Sequence, residues 1–481
     1  MSRHSLLRML PALLLAGCAL GPDFKAPAAP DSERYLAQQD PSSTAAADGR
    51  AQHFERSAKP EAQWWRAFGS SPLDALVTQG LARNASLEAA QASLRQSARA
   101  LQAGYGVFYP QVSAGAGASR EKFSPALFGS TSPGPTFNLF TLSASVGYAL
   151  DVFGGARRTV EGLAAQQDVQ QAQLEGSTLA LAGNLVNTAI AQAAYGAELE
   201  QTQALVLLLR QQLTLAQFQT QAGTVPYSAV LALQAQLAQA EATVPPLQQA
   251  ADQAQHLLAT LSGTLPSRWQ MPPLAFDSLK LPEHLPLSLP SELVRQRPDI
   301  RAAEATLHAA SAAVGVATAA QFPSFTLSGA YGQYSTSTGT LLAGGGNFWN
   351  LGVDVAAPLF DGGTLRARRQ AAEETYAQSA ALYRQTVLNA FAQVADVLRA
   401  LEHDAQTLQA ALQAQAAVET AARLLEANEQ AGIANGLQVL TAQVQLRQAN
   451  LAVLQARALR LQDTTAYYLA LGQGSSRQAG P

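Results

Sequence analysis

Very few residues of this 481-residue chain are placed to do chemistry. Its six histidines, His4, His53, His256, His284, His308 and His403, are scattered, and none has the spacing of a metal site or of a nucleophile's base. Asp361-Gly362-Gly363 and Gly344-Gly345-Gly346 are glycine-rich, but no Gly-Lys-Ser/Thr follows, so they read as turns and loops and not as a phosphate cradle. Three methionines and a single cysteine leave no relay for a soft metal. The expectation is no enzyme, no metal and no cofactor. One reactive group remains, the thiol of Cys18, and its surroundings say what could be done with it.

Cys18 closes the run Leu15-Ala16-Gly17-Cys18 behind a short N-terminal stretch. There Arg3, His4 and Arg8 supply charge and Leu10 to Ala16 an apolar core. Residues 1–17 therefore read as a secretory signal, too short to span a membrane. The run resembles a bacterial lipoprotein box, in which the cysteine becomes the lipidated first residue of the mature chain. Several acyl chains would anchor it stably, where one alone is marginal. By the same resemblance, Ala19 stands where an aspartate would retain the protein in the inner membrane, which favours the outer membrane of a Gram-negative bacterium. Residues 18–62 follow as a lipid-anchored tether, since Gly21 to Pro60 is rich in Ala, Pro, Ser and Asp and has no apolar period. Nothing downstream offers the roughly 18 consecutive apolar residues of a transmembrane helix.

Composition narrows the partners. Hydrophobic residues make up 48% of the chain and charged ones only 14%, against about a quarter in ordinary soluble domains, so part of the surface must be covered by something other than water. The net charge is -3, and Lys25, Lys59, Lys122 and Lys280 are the only lysines, so no basic stripe exists for a nucleic acid.

The chain is built on an internal repeat. Leu87 to Ala116 matches Ile300 to Gly329 at a separation of 213 residues (300 minus 87), with Tyr109-Pro110 falling on Phe322-Pro323. Asp151-Val152-Phe153-Gly154-Gly155 answers Pro358-Leu359-Phe360-Asp361-Gly362-Gly363, and Ala222-Gly223 answers Ala431-Gly432. The first repeat spans 63–262 with a strand hairpin at 111–151. A linker covers 263–290, the second repeat 291–472 with its hairpin at 324–358, and a tail 473–481. Each copy reads helix, hairpin, long helix, turn, helix.

The strands are expected from period two. Val112, Ala114, Ala116 and Ala118 alternate with Ser113, Gly115, Gly117 and Ser119, and Phe140 to Leu150 alternates in the same way. Trp349, Leu351, Val353 and Val355 alternate with Asn350, Gly352, Asp354 and Ala356. One apolar face and one small polar face, over roughly ten residues, suit a membrane barrel with lipid outside and water inside. A half-buried soluble hairpin would show the same alternation. The stretches Ala156 to Ala222 and Thr364 to Ala431 hold helix formers and no proline, and each predicts a helix about 100 Å long. Four strands cannot close a barrel, and open edges in lipid are costly, so several chains must close it together. Two chains would give eight strands and a filled interior, whereas three give twelve and a lumen wide enough for water.

Leu289-Pro290-Ser291-Glu292-Leu293-Val294-Arg295-Gln296-Arg297-Pro298-Asp299-Ile300-Arg301-Ala302-Ala303-Glu304, followed by Gly315-Val316-Ala317, closely resembles the signature of TolC-like outer membrane factors, the outer membrane efflux proteins. Trp64-Trp65 ahead of Leu73-Asp74-Ala75-Leu76, and the lipoprotein start, are similar to the lipoprotein branch that serves RND-type tripartite pumps. The resemblance implies a homotrimer in which a twelve-stranded membrane β-barrel continues into a long periplasmic α-helical barrel. Its implied partners are a periplasmic adaptor (membrane fusion protein), an inner-membrane RND-type transporter and outer membrane lipid. The adaptor would meet the helix tips at Gly223, Thr224 and Val225 and at Gly432, Ile433, Ala434 and Asn435. The periplasmic constriction would fall on Leu437, Gln438 and Thr441, where family members often carry an aspartate. A ring of Leu437 and Thr441, one turn apart on a helix face, would be apolar and hydroxylic rather than acidic. The competing expectation is a lipid-anchored structural coiled coil without a pore, which needs no strands. Cargo is not encoded in a lining of small polar residues.

Overall fold

The computed structural model describes residues 19–56, 62–124, 129, 131 and 133–472. Two compact units are formed, and they interleave the repeats instead of separating them. One lies within Met1–Pro27, Leu94–Gln170 and Ala303–Tyr383, the other within Ala28–Ser93, Gln171–Ala302 and Arg384–Pro481.

The first unit carries a four-stranded antiparallel sheet. Its strands are β2 (Gln111–Lys122), β3 (Thr136–Leu150), β5 (Ser324–Ser335) and β6 (Asn347–Ala356), in the order β2-β3-β5-β6. Each repeat supplies one hairpin, and the antiparallel pairing of β3 with β5 joins the two copies, for instance Ser143 with Gly332. Flanking the sheet in sequence are α2 (Ala85–Gly104), which enters through a short 3-10 turn at Tyr105–Phe108, and its repeat counterpart α6 (Pro298–Ala319).

Two helices of 67 residues dominate the chain, α3 (Gly155–Gln221) and α7 (Thr364–Gln430). Each is followed by a helix of 35 residues, α4 (Tyr227–Leu261) and α8 (Gly436–Ala470). In the second unit the aromatic pair anticipated from the sequence lies in the core. Trp64 stacks on Tyr468 with ring centroids 5.1 Å apart, and Phe68, Leu73, Leu185, Ile190, Leu258 and Leu398 are fully buried around them. The helical stretch ahead of the first hairpin is two helices: α1 (Ser71–Arg83) ends at Asn84, whose side chain caps α2 by accepting from the Leu87 amide at 3.1 Å. The signature segment adds the short α5 (Pro290–Gln296) before α6.

The N-terminal segment is more structured than its composition suggests. Ala47-Asp48-Gly49-Arg50 forms a tight turn with φ of +57° at Asp48 and +71° at Gly49, the left-handed pair that an Asp-Gly hairpin turn requires. Next to it, β1 (His53–Glu55) pairs in parallel with β4 (His284–Pro286). Arg460 of α8 is almost wholly buried and donates from Nε to Gln52 at 3.2 Å and from Nη2 to the Thr44 hydroxyl at 3.1 Å.

Candidate channel wall and helix tips

The register of the sheet turns four separate alternations into two continuous faces. Rows on one face read Ala114, Ala144, Tyr331, Trp349 and Val112, Val146, Gly329, Leu351, then Tyr148, Leu327, Val353. The opposite face has rows Ser113, Ser145, Ala330, Asn350 and Gly147, Ser328, Gly352. Ser113 and Ser145 share a hydrogen bond of 2.8 Å across the strands, and Ser328 donates to Asp354 at 3.0 Å. The apolar face is laid bare: Leu351 is 81% exposed and Trp349 74%. A soluble hairpin buries its apolar face, so this exposure selects lipid as the medium that covers it. Aromatic and large apolar residues gather where strands meet helices, with Tyr105, Tyr109, Phe322, Leu359 and Phe360 all exposed, as in the interfacial girdle of a membrane barrel. Among the described residues β2 and β6 are the free edges.

The two helix turns have one geometry. After α3 the amide of Thr224 donates to the carbonyl of Gln219 at 2.9 Å and that of Gly223 to Thr220 at 3.0 Å. After α7 Ile433 donates to Asn428 at 2.8 Å and Gly432 to Glu429 at 2.9 Å. Both glycines have φ of +76°, so each turn is a Schellman stop in which a side chain at the glycine would be strained. Gly223, Thr224, Gly432, Ile433 and Asn435 are exposed, while Val225 and Ala434 are half-buried.

The expected constriction residues are held in different ways. Asn435 and Gln438 form a reciprocal capping box at the start of α8, with the Asn435 Oδ1 accepting from the Gln438 amide at 2.9 Å and the Gln438 Oε1 from the Asn435 amide at 3.0 Å. Gln438 is therefore occupied in starting the helix. Thr441 donates to the Leu437 carbonyl at 2.7 Å and accepts from the Gln212 side-chain amide of α3 at 2.9 Å. Leu437 is half-buried and Thr441 exposed. Gln212 is a partner that the sequence does not single out, being one glutamine among many in α3. Cys18 lies outside the described residues.

The signature arginines are structural. Arg297, nearly buried, donates to the Asp299 carboxylate, to the Ala470 carbonyl at 2.8 Å and to Gln393 at 2.8 Å, tying the start of α6 to α7 and α8. Arg301 pairs with Glu175 of α3. In the same unit Asp404 of α7 is buried, which pushes its carboxyl up to about 7. The neighbouring Asp463 carboxyl adds to the rise and Arg460 opposes it. Among the described residues no group of three or more His, Cys, Asp or Glu is arranged to hold a metal.

Comparison with known proteins settles what such a wall and such turns belong to. The family model described as outer membrane efflux protein matches residues 76–264 and 289–473, which include the second repeat and nearly all of the first. The chain belongs to that family. It is 32% identical to the pyoverdine export outer membrane protein OpmQ of Pseudomonas aeruginosa, over 99% of both chains. It is 29% identical to the antibiotic efflux pump outer membrane protein ArpC of Pseudomonas putida, over 100% of this chain and 97% of the relative. The solved structure of the outer-membrane channel OprN superimposes with a TM-score of 0.84 at 28% identity, covering 95% of this chain and 99% of that one. This family member is an outer membrane efflux channel, with strands for the membrane and long helices. The pore-free coiled coil is not favoured, since the sheet and the relatives both speak for a channel.

Proposed function

We propose that three copies of the chain close a twelve-stranded barrel and form the passive exit duct of a tripartite efflux system. The observation that carries this reading is the four-stranded sheet with one lipid-facing side and two unpaired edges, because edges left open in lipid strand their backbone groups at several kcal/mol each. Twelve strands give a lumen that small residues such as Ser113, Gly115 and Ser143 leave open. An RND-type inner-membrane transporter supplies the energy and a periplasmic adaptor docks on the turns at Gly223–Val225 and Gly432–Asn435. Cys18 carries the lipid. The resting duct narrows at Leu437 and Thr441, where three copies meet without the charge repulsion or cation binding of an acidic ring. Relatives of similar sequence are named for pyoverdine export and for antibiotic efflux, which supports reading the cargo as the pump's choice.

Single-channel recording in a planar bilayer tests the reading. The wild type should open a water-filled pore with little dependence on divalent ions, and Leu437→Ala should raise its conductance. A protein that is monomeric by light scattering and silent in the bilayer would overturn the duct. Strong divalent block would move the constriction to other residues.

A further inference from the structure

The first residues behind Cys18 do not trail free. The Leu20 amide donates to the Phe153 carbonyl at 3.1 Å, at the loop before α3. Arg158, in the first turn of α3 and only 5% exposed, spends its guanidinium on three partners. Nε donates to the Leu20 carbonyl at 3.3 Å, Nη2 to Asp23 at 2.6 Å and Nη1 to Glu161 at 2.7 Å. The other oxygen of Glu161 faces His308 Nε2 of α6 at 2.9 Å, and the imidazole carries the Phe24 ring stacked at 4.3 Å. Gly21, with φ of +98°, lies so close to α6 that a Cβ there would collide with Gly315 Cα. A Cβ on Gly315 would meet Arg158 Cγ at 2.7 Å.

Among the described residues this groove occurs once although its framework occurs twice. The 213-residue offset that matches α2 to α6 puts Arg95 where His308 stands and Gln102 where Gly315 stands. Aligning Gly155 with Gly363 puts Arg366 in the place of Arg158, and Arg366 is exposed. Among the described residues only the α3–α6 groove has the glycine that admits a backbone and the buried arginine that binds it. A site present once in a doubled framework fits a ligand present once, the chain's own N-terminal segment.

We propose that Arg158 is the positioning residue of the N-terminal anchor, holding residues 19–24 in the α3–α6 groove beside the start of α3. The proposal rests on the lipidation of Cys18 advanced above. Released as far as Tyr35, whose hydroxyl donates to the Ser288 carbonyl, some 16 residues of chain would let Ala19 wander over roughly 20 Å. The acyl chains and the sheet then move as one body.

Lys25 reports on the groove, because a protease needs the residues before the cut in extended, undocked form. In the full-length protein purified in detergent, tryptic cleavage after Lys25, followed by mass spectrometry, should be slow for the wild type. It should be at least about tenfold faster for Gly21→Val, which wedges the segment off Gly315, and faster by a smaller factor for Asp23→Asn. Both substitutions lie in the segment and not in the body, so bilayer conductance should be unchanged in each. Equal cleavage of wild type and Gly21→Val would overturn the docking. Radiolabelled palmitate should enter the wild type and Gly21→Val alike. Its absence from the wild type would overturn the lipid reading, and the anchor role with it, while the Lys25 rates would still decide whether the groove holds the segment.

Discussion

On its apolar face the outer strand of the first repeat, β2, offers Val112 and the alanines Ala114, Ala116 and Ala118. The outer strand of the second, β6, offers Trp349, Leu351, Val353 and Val355. The sheet thus has one slender edge and one bulky edge. A head-to-tail ring joins two different edges at every seam, so a bulky row can lie beside a slender one each time, which a two-fold pairing of like edges would not allow. The helices diverge as well. Pro245 and Pro246 sit inside α4, whereas its counterpart α8 has no internal proline. The turn before α4 has Pro226 with no side-chain cap, and the turn before α8 has the Asn435–Gln438 box. Duplication fixed the elements, and divergence at edges, helix prolines and caps made the two copies complementary.

The difference between the edges is broken most severely by charge. Leu351→Arg places a guanidinium on the lipid face at a cost of about 2 to 4 kcal/mol per chain near the bilayer midplane. Heat-resistant oligomer on a denaturing gel should disappear, while Asn350→Arg, one residue away on the polar face, should retain it. The contrast between the short helices is removed by replacing Pro245 and Pro246 together with alanine. This restores donors for the Glu241 and Ala242 carbonyls and should stabilise the chain by about 3 kcal/mol, seen as a higher unfolding midpoint. A lower midpoint would mean that the prolines are needed for packing.

Burial and the neighbouring Asp463 carboxyl both raise the Asp404 carboxyl. A carboxyl whose folded pKa is raised holds its proton while the unfolded chain releases it. Stability therefore falls as pH climbs from about 4 to about 7 and stays low above that. Asp404→Asn should flatten that slope and gain on the order of 1 to 3 kcal/mol at pH 8 but little at pH 4, by denaturant unfolding at both values. The smallest effect belongs to the caps. Asn435→Ala should cost about 1 kcal/mol and speed amide exchange in the first turn of α8, leaving the first turn of α4 as it was.

The strands were legible because period two is written along the chain itself, and so were the turns, where glycine is the cheapest residue with positive φ. The two long helices followed from an unbroken supply of helix formers. What escaped were partnerships across great sequence distance, such as Arg158 with Asp23 and Arg460 with Gln52, since nothing local marks an arginine as buried. Two local signals were present and overlooked. Asp48-Gly49 is a hairpin dipeptide, but its flanks lack apolar alternation, and Asn435-x-x-Gln438 is a capping box at the place where family likeness pointed to a constriction.

The free edges of β2 and β6, twelve and ten residues long, also bear on inheritance. A lone chain in the bilayer would leave both rows of backbone groups unmatched, on the order of tens of kcal/mol, so no protomer waits in the membrane for its partners. Chains must be sorted into sets before or during insertion, and a defective chain that still folds enters those sets as readily as a sound one. With three chains to a duct, a bacterium making equal amounts of a normal protein and a Leu437 variant would build only about one duct in eight free of the variant. A lesion that acts on the shared lumen should therefore behave as a dominant trait, whereas one that prevents folding should behave as recessive.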